Sequence, residues 1–186
     1  MAIIRELRGF TPKFGKDCFL AENAAIIGDV TMGDDCSIWY GTVLRGDVNT
    51  IKIGDRVNIQ DGAVVHTLYE RSVSEIGNDV SVGHNAIIHG AKIGNNVLIG
   101  AGAKVLGSFK VGDNSVIAAN SVVLHEVPEN CTCVGAPARV KKINGQRVGD
   151  IDWAATPDLI GQEFARLQQE IEQLRCELED LQGMRR

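Results

Sequence analysis

Histidine is the residue type in this chain best suited to hold a metal ion, and the chain contains few. The four histidines are His66, His84, His89 and His125. His66 and His89 each directly follow an aliphatic residue, whereas His84 stands second after one. A neutral imidazole is the commonest metal ligand in proteins, so the question is whether the fold brings these rings together.

Aliphatic residues recur every six positions through much of the chain. With one five-residue step, the run is Ile76, Val82, Ile88, Ile93, Ile99, Val105, Val111, Ile117 and Val123. The same period occurs earlier, between Ile27 and Val65. Six residues suit a short strand and a tight corner, and three such sides close a triangular coil. An ordinary antiparallel domain is the weaker alternative, because its strands recur every 8–12 residues.

The composition agrees with thin stacked layers rather than a bulky core. Of 186 residues, 44% are hydrophobic, only 5% are aromatic and 21 are glycine. We therefore predict a mainly β protein, a triangular parallel β-helix over residues 1–145, followed by a C-terminal α-helix over 156–183. An apolar stripe on that helix, from Ile160 to Leu181, fits packing on the β-helix or at a trimer periphery, with self-association as the less favoured alternative.

Charge, hydropathy and cysteine content exclude several functions. The net charge of −5 argues against nucleic-acid binding. No apolar run reaches the ~18 residues of a membrane span, and the first residues do not resemble a secretory signal. Five scattered cysteines favour a reducing cytoplasm, with the thiols acting as small core residues.

The register of the repeat relates the histidines to one another. Three sides separate Val65 from Ile88 once the insertion within 67–75 is set aside, so His66 and His89 stack on adjacent coils. His84 lies on the preceding side, where only a second chain brings it to the other two. The register thus predicts a three-histidine site between subunits, most simply in a homotrimer. The alternative is that the histidines are unrelated surface residues.

Three imidazoles leave a fourth zinc position for water, the arrangement of catalytic sites. A metal lowers the pKa of its bound water to about 7, although imidazole ligands alone do not separate zinc from iron or cobalt.

Polar residues cluster near the same coils. Arg45 is suited to bridge the carboxylates of Asp47 and Asp61 across a subunit boundary. Gln60 is placed to hydrogen-bond a metal-bound hydroxide. The alternative is a solvated corner built from turn-forming residues.

Several motifs together resemble the gamma-class carbonic anhydrase family over roughly residues 10–145. They are Arg45-Gly46-Asp47, Asn58-Ile59-Gln60-Asp61-Gly62, His66, Gly83-His84-Asn85, His89-Gly90 and Gly135-Ala136-Pro137-Ala138. The resemblance implies a left-handed β-helix and a homotrimer with zinc, or iron or cobalt, held by His66 and His89 of one chain and His84 of the next. It also implies that Gln60 contacts the metal-bound water and that Arg45 joins Asp47 and Asp61 at the interface.

The implied reaction is the interconversion of carbon dioxide and bicarbonate. The chain departs from active family members in its short loop, Thr67-Leu68-Tyr69-Glu70-Arg71-Ser72, where Glu70 is the candidate proton shuttle. Two alternatives remain: a hexapeptide acyltransferase that uses an acyl-CoA, and a metal-binding assembly protein without catalysis.

Overall fold

The protein is a left-handed parallel β-helix whose coils each contribute one short strand to each of three faces. The computed structural model describes residues 1–148 and 166–175. Within these ranges the β-helix accounts for nearly all of the secondary structure. The predicted mainly β fold and parallel β-helix are confirmed.

The first face carries the two predicted ligands His66 and His89. Its strands, in order along the prism, are β1 (Ile3–Arg5), the start of β3 (Ala25–Met32), the start of β5 (Val43–Ile53), β7 (Val64–His66), β10 (Ile87–His89), β13 (Lys104–Leu106) and β16 (Val122–Val123). All neighbours in this face pair in parallel.

The second face follows around the next corner, and the third closes the triangle. The second contains the ends of β3 and β5, then β8 (Ser74–Ile76), β11 (Lys92–Ile93) and β14 (Lys110–Val111). The third contains β2 (Phe19–Leu20), β4 (Ser37–Ile38), β6 (Asn58–Ile59), β9 (Ser81–Val82), β12 (Leu98–Ile99), β15 (Val116–Ile117) and β17 (Cys131–Gly135). An antiparallel extension, β18 (Ala138–Ile143) and β19 (Gln146–Arg147), ends the third face.

The core is a stack of the repeated aliphatic residues. Each predicted inward position from Ile76 to Val123 is buried, and Val65, Ile88 and Ile99 are completely inaccessible to solvent. Two cysteines also belong to this core. Cys36 and Cys133 are buried, and burial raises the pKa of each thiol to about 11. These two thiols therefore act as small apolar residues, as the sequence predicts.

Side-chain ladders hold the coils in register at one corner. The Oδ1 atoms of Asp34, Asp55, Asn78, Asn95 and Asp113 each accept the backbone N–H of the preceding coil, at 2.7–2.9 Å. Next to this ladder, residues such as Asn96 and Asn114 have positive φ angles. Asparagine tolerates this left-handed conformation better than most side chains do, which explains its recurrence.

The C-terminal part of the chain forms a separate unit. The chain divides into Met1–Gly149 and Asp150–Arg186. Residues 166–175 are helical, and Leu167, Ile171 and Leu174 on them are exposed. The rest of the predicted helix, 156–165 and 176–183, lies outside the described residues. Across the two described ranges, no helix is long and apolar enough to span a bilayer.

Replacing one inward residue tests the core. We expect Ile99→Ala to lower the free energy of unfolding by about 3 kcal/mol, because it opens a cavity in a fully buried layer. Leu98→Ala is the matched control: its side chain is 47% exposed, and we expect a change within about 0.5 kcal/mol. Denaturant titration followed by circular dichroism measures both, and equal losses would contradict the inward assignment of Ile99.

Candidate metal centre

Arg45, His66 and His89 form a column on the outer surface of the first face. Parallel pairing sets Arg45 opposite His66 and His66 opposite His89. The imidazole rings of the two histidines are stacked, with centroids 5.1 Å apart and planes inclined by 13°. The repeat, counted without the insertion, predicts that His66 stacks on His89, and the structure has this stacking.

The two rings bring two nitrogen atoms close together. His66 Nδ1 and His89 Nε2 are 3.2 Å apart, and His89 Nε2 is also 3.2 Å from the carbonyl oxygen of Thr67. Two Zn–N bonds of 2.0–2.1 Å at a tetrahedral angle place their nitrogens about 3.3 Å apart. The spacing of this pair therefore fits two ligands of one metal ion.

Asp47 fixes the outer nitrogen of His66. Its Oδ1 lies 2.9 Å from His66 Nε2, and its Oδ2 accepts a short hydrogen bond from Arg45. Burial raises the pKa of the Asp47 carboxyl, but the hydrogen bond to His66 and the charge of Arg45 more than offset this and hold it below its ordinary value. An ionised Asp47 accepts a hydrogen bond from the Nε2–H of His66, which leaves the lone pair of His66 on Nδ1, the nitrogen nearest His89.

A second group lies at the corner between the third and first faces. Tyr40, Asp61 and His84 occupy the same place in three successive coils, as shown by the bonds from Gly62 N to Tyr40 O and from Asn85 N to Asp61 O. Asp61 Oδ2 lies 2.9 Å from His84 Nδ1. Asp61 therefore orients His84 as Asp47 orients His66, and Nε2 of a side chain that is 55% exposed remains the ligating atom.

Gln60 belongs to this second group. It precedes Asp61 at the end of the third face, where its N–H donates to the Val82 carbonyl at 2.9 Å. Its own carbonyl accepts from Thr42 Oγ1 at 3.0 Å. These backbone bonds fix where its side chain starts, one residue away from the Asp61–His84 pair.

Glu70 lies on neither corner group. It stands in the loop after His66 with a positive φ of 53°, between Leu68 and Ser72, which form an antiparallel bridge. The loop borders a groove of about 600 Å³ that also reaches Gly90, the residue after His89. The groove is lined by Glu70 but by neither His66 nor His89.

Ser74 is a structural residue that the sequence analysis missed. Its side chain is buried, its Oγ donates to the His66 carbonyl at 2.5 Å, and it accepts the N–H of Gly90 at 3.0 Å. It thereby ties together the two strands that carry the histidines. One sequence signal could have identified it: Ser74 is polar, whereas Ile51, which pairs with it in the neighbouring coil, is aliphatic.

The predicted site residues therefore separate into two half-sites on one chain. We call Arg45, Asp47, His66 and His89 the paired half-site, and Gln60, Asp61 and His84 the single half-site. Within the described part of one chain, no three metal-ligating side chains converge. His84 therefore does not join His66 and His89 within the described residues of a single chain.

Comparisons with known proteins define the class. The family profile described as bacterial transferase hexapeptide (six repeats) matches residues 73–107 and 90–125. A candidate acetyltransferase of Bacillus cereus has a similar structure, with a TM-score of 0.74 and 32% identity, covering 93% of this chain and 98% of that one. The chain is a hexapeptide-repeat β-helix protein.

Sequence relatives narrow this class. A carbonic anhydrase candidate of Methanocaldococcus jannaschii is 46% identical over 127 residues, which are 67% of this chain and 79% of the relative. Gamma carbonic anhydrase 1 of Arabidopsis thaliana, named as mitochondrial, is 37% identical over 153 residues, 78% of this chain. The chain spans only 56% of that plant relative. The chain belongs to the gamma-class carbonic anhydrase family.

Neutralising the orienting carboxylates tests their assignment. We expect Asp47→Asn and Asp61→Asn each to weaken zinc binding about 10–100-fold, because each histidine loses the carboxylate oxygen that orients its ring. Asp79→Asn is the control, since Asp79 pairs with Arg56 on the surface and touches no histidine. Competition with a chromogenic chelator measures the affinities, and three equal values would contradict the assignment.

Proposed function

We propose that the protein catalyses the metal-dependent hydration of carbon dioxide to bicarbonate in a homotrimer with metal sites between subunits. The observation that carries this proposal is the pair of imidazole nitrogens 3.2 Å apart, with an ionised carboxylate behind one of them. Family membership supports the same reaction, because relatives of this chain are named as carbonic anhydrases.

Symmetry explains how the two half-sites meet. A threefold axis parallel to the prism leaves the height of every atom along that axis unchanged. His84 precedes His89 by five residues, less than a third of a coil, and one coil rises about 4.8 Å. The partner subunit's His84 therefore enters at a height between His66 and His89, where it completes a set of three ligands.

The same threefold symmetry brings the polar residues near the histidines together. The partner subunit's Asp61 stands near the height of His66, one coil beyond Arg45. The Arg45 guanidinium already binds Asp47 and has several N–H donors, so it is suited to bind that second carboxylate as well. This bridge would join the two half-sites.

A bound divalent metal, with zinc as the first candidate and iron or cobalt as alternatives, would supply a water of lowered pKa to attack carbon dioxide. The three histidines hold such a metal and leave one position open. Gln60 orients the attacking water through its side-chain amide. Glu70, in the loop after His66, takes the released proton toward solvent.

The cytoplasmic location predicted from the scattered thiols remains a prediction. The described cysteines are free thiols, which suits a reducing compartment. The Arabidopsis relatives, by contrast, are named as mitochondrial proteins.

Direct assay of zinc-loaded protein tests the proposed reaction. We expect stoichiometric zinc and faster hydration of carbon dioxide in a stopped-flow pH-indicator assay, with the acceleration lost in His89→Ala. His125→Ala is the control, because this histidine lies outside both half-sites and should retain metal and activity. Protein that binds zinc fully yet does not accelerate hydration would contradict catalysis and favour the metal-binding assembly protein.

Mixed trimers test whether ligands are shared. His66→Ala chains and His84→Ala chains each lack a complete site, but random reassembly of equal amounts should restore about a quarter of the sites. Zinc content and hydration rate should both recover to that extent. Mixed trimers that recover neither would contradict sharing between subunits.

An acyltransferase is the second candidate, because the similar Bacillus cereus structure is that of a candidate acetyltransferase. This function predicts binding of coenzyme A without metal. Isothermal titration with acetyl-CoA separates the two candidates, since a carbonic anhydrase needs no such site.

A further inference from the structure

Polarity changes abruptly along the column that contains the histidine pair. On the side toward the N-terminal coils, His66 is followed by Arg45, which binds Asp47. On the other side, His89 pairs in register with Leu106. The metal position thus lies between an ionic layer and an aliphatic layer.

In the single half-site, polarity also changes from charged to apolar along successive coils. His84 lies between Asp61, one coil before it, and Ala101, one coil after it, as the bonds from Asn85 N to Asp61 O and from Gly102 N to His84 O show. Both half-sites are therefore charged toward the N-terminal coils and apolar toward the C-terminal coils. In the proposed trimer, Leu106 and the partner subunit's Ala101 come to similar heights.

We propose that Leu106, with the partner subunit's Ala101, forms the seat for carbon dioxide. This inference rests on the proposed function and assigns the direction of substrate approach. Leu106 is thus a specificity-determining residue that contacts substrate and takes no part in proton transfer.

The chemistry of carbon dioxide supports this assignment. Carbon dioxide is uncharged and has no net dipole, so an aliphatic wall holds it without leaving buried polar groups unpaired. In the overall step, CO₂ + H₂O → HCO₃⁻ + H⁺, the water oxygen bonds to carbon and one C=O electron pair moves onto oxygen. The proton leaves toward solvent.

Kinetics in both directions test the seat. We expect Leu106→Asn to raise KM for carbon dioxide about tenfold with kcat for hydration unchanged, because uniform binding of an apolar substrate is lost. KM for bicarbonate should stay constant, and the equilibrium constant then requires kcat for dehydration to fall by the same factor. Leu124→Asn is the matched control: it lies one coil further along, is 44% exposed and should change neither constant.

Xenon provides a readout that is independent of catalysis. We expect xenon, an apolar probe, to bind next to Leu106 in metal-free trimers, seen by crystallography under xenon pressure or by ¹²⁹Xe NMR. The signal should disappear in Leu106→Asn and persist in Leu124→Asn.

The outcomes distinguish the inference from the proposed function. Hydration activity with KM and xenon binding unaffected by Leu106→Asn would overturn the seat and retain the carbonic anhydrase. A second outcome is that xenon binds at Leu106 but the zinc-loaded protein has no hydration activity. The apolar pocket would then be retained, but carbon dioxide as its ligand and the proposed function would both be overturned.

Discussion

Parallel pairing of successive coils is the interaction on which the whole site depends. Each strand forms hydrogen bonds with the equivalent strand one coil away, so residues at equivalent positions stack at a spacing of about 4.8 Å. His66 and His89 are far apart in sequence but adjacent in this register. Neither a flexible loop nor a hinge is needed to bring their nitrogens together, because the regular core fixes both backbones.

The division of the site into two half-sites follows from the same regularity. A rigid prism cannot bend one corner toward another, so residues on different corners of one chain do not meet. In the proposed trimer, splitting the ligands between copies would make metal binding depend on assembly, while each half-site is oriented within its own chain. Asp47 and Asp61 do this within the chain, through hydrogen bonds of 2.9 Å to their histidines. A trimer would then bring together two arrangements that already exist.

The fold could be predicted from the sequence because each side of the β-helix repeats the same pattern of six residues. The inward aliphatic residues from Met32 onward, the stacking of His66 on His89 and the separation of His84 all follow from counting positions. Ile27 is an exception: Ile26 is the buried residue there, and Ile27 pairs with Arg45. The function of Ser74 did not follow from counting either, because a single serine near an insertion looks like any other loop residue. Its importance depends on burial and on two backbone partners, His66 O and Gly90 N, which only coordinates reveal. The position of Glu70 was equally unpredictable, since residues 67–73 depart from the repeat.

Ser74 also has a consequence for how this protein family can vary. By fastening the strands on either side of the 67–73 excursion, it makes the spacing of the histidines independent of the number of residues that loop out between them. A longer excursion costs only a slowly growing closure entropy. The loop can thus be lengthened or exchanged while the strands that carry His66 and His89 keep their register.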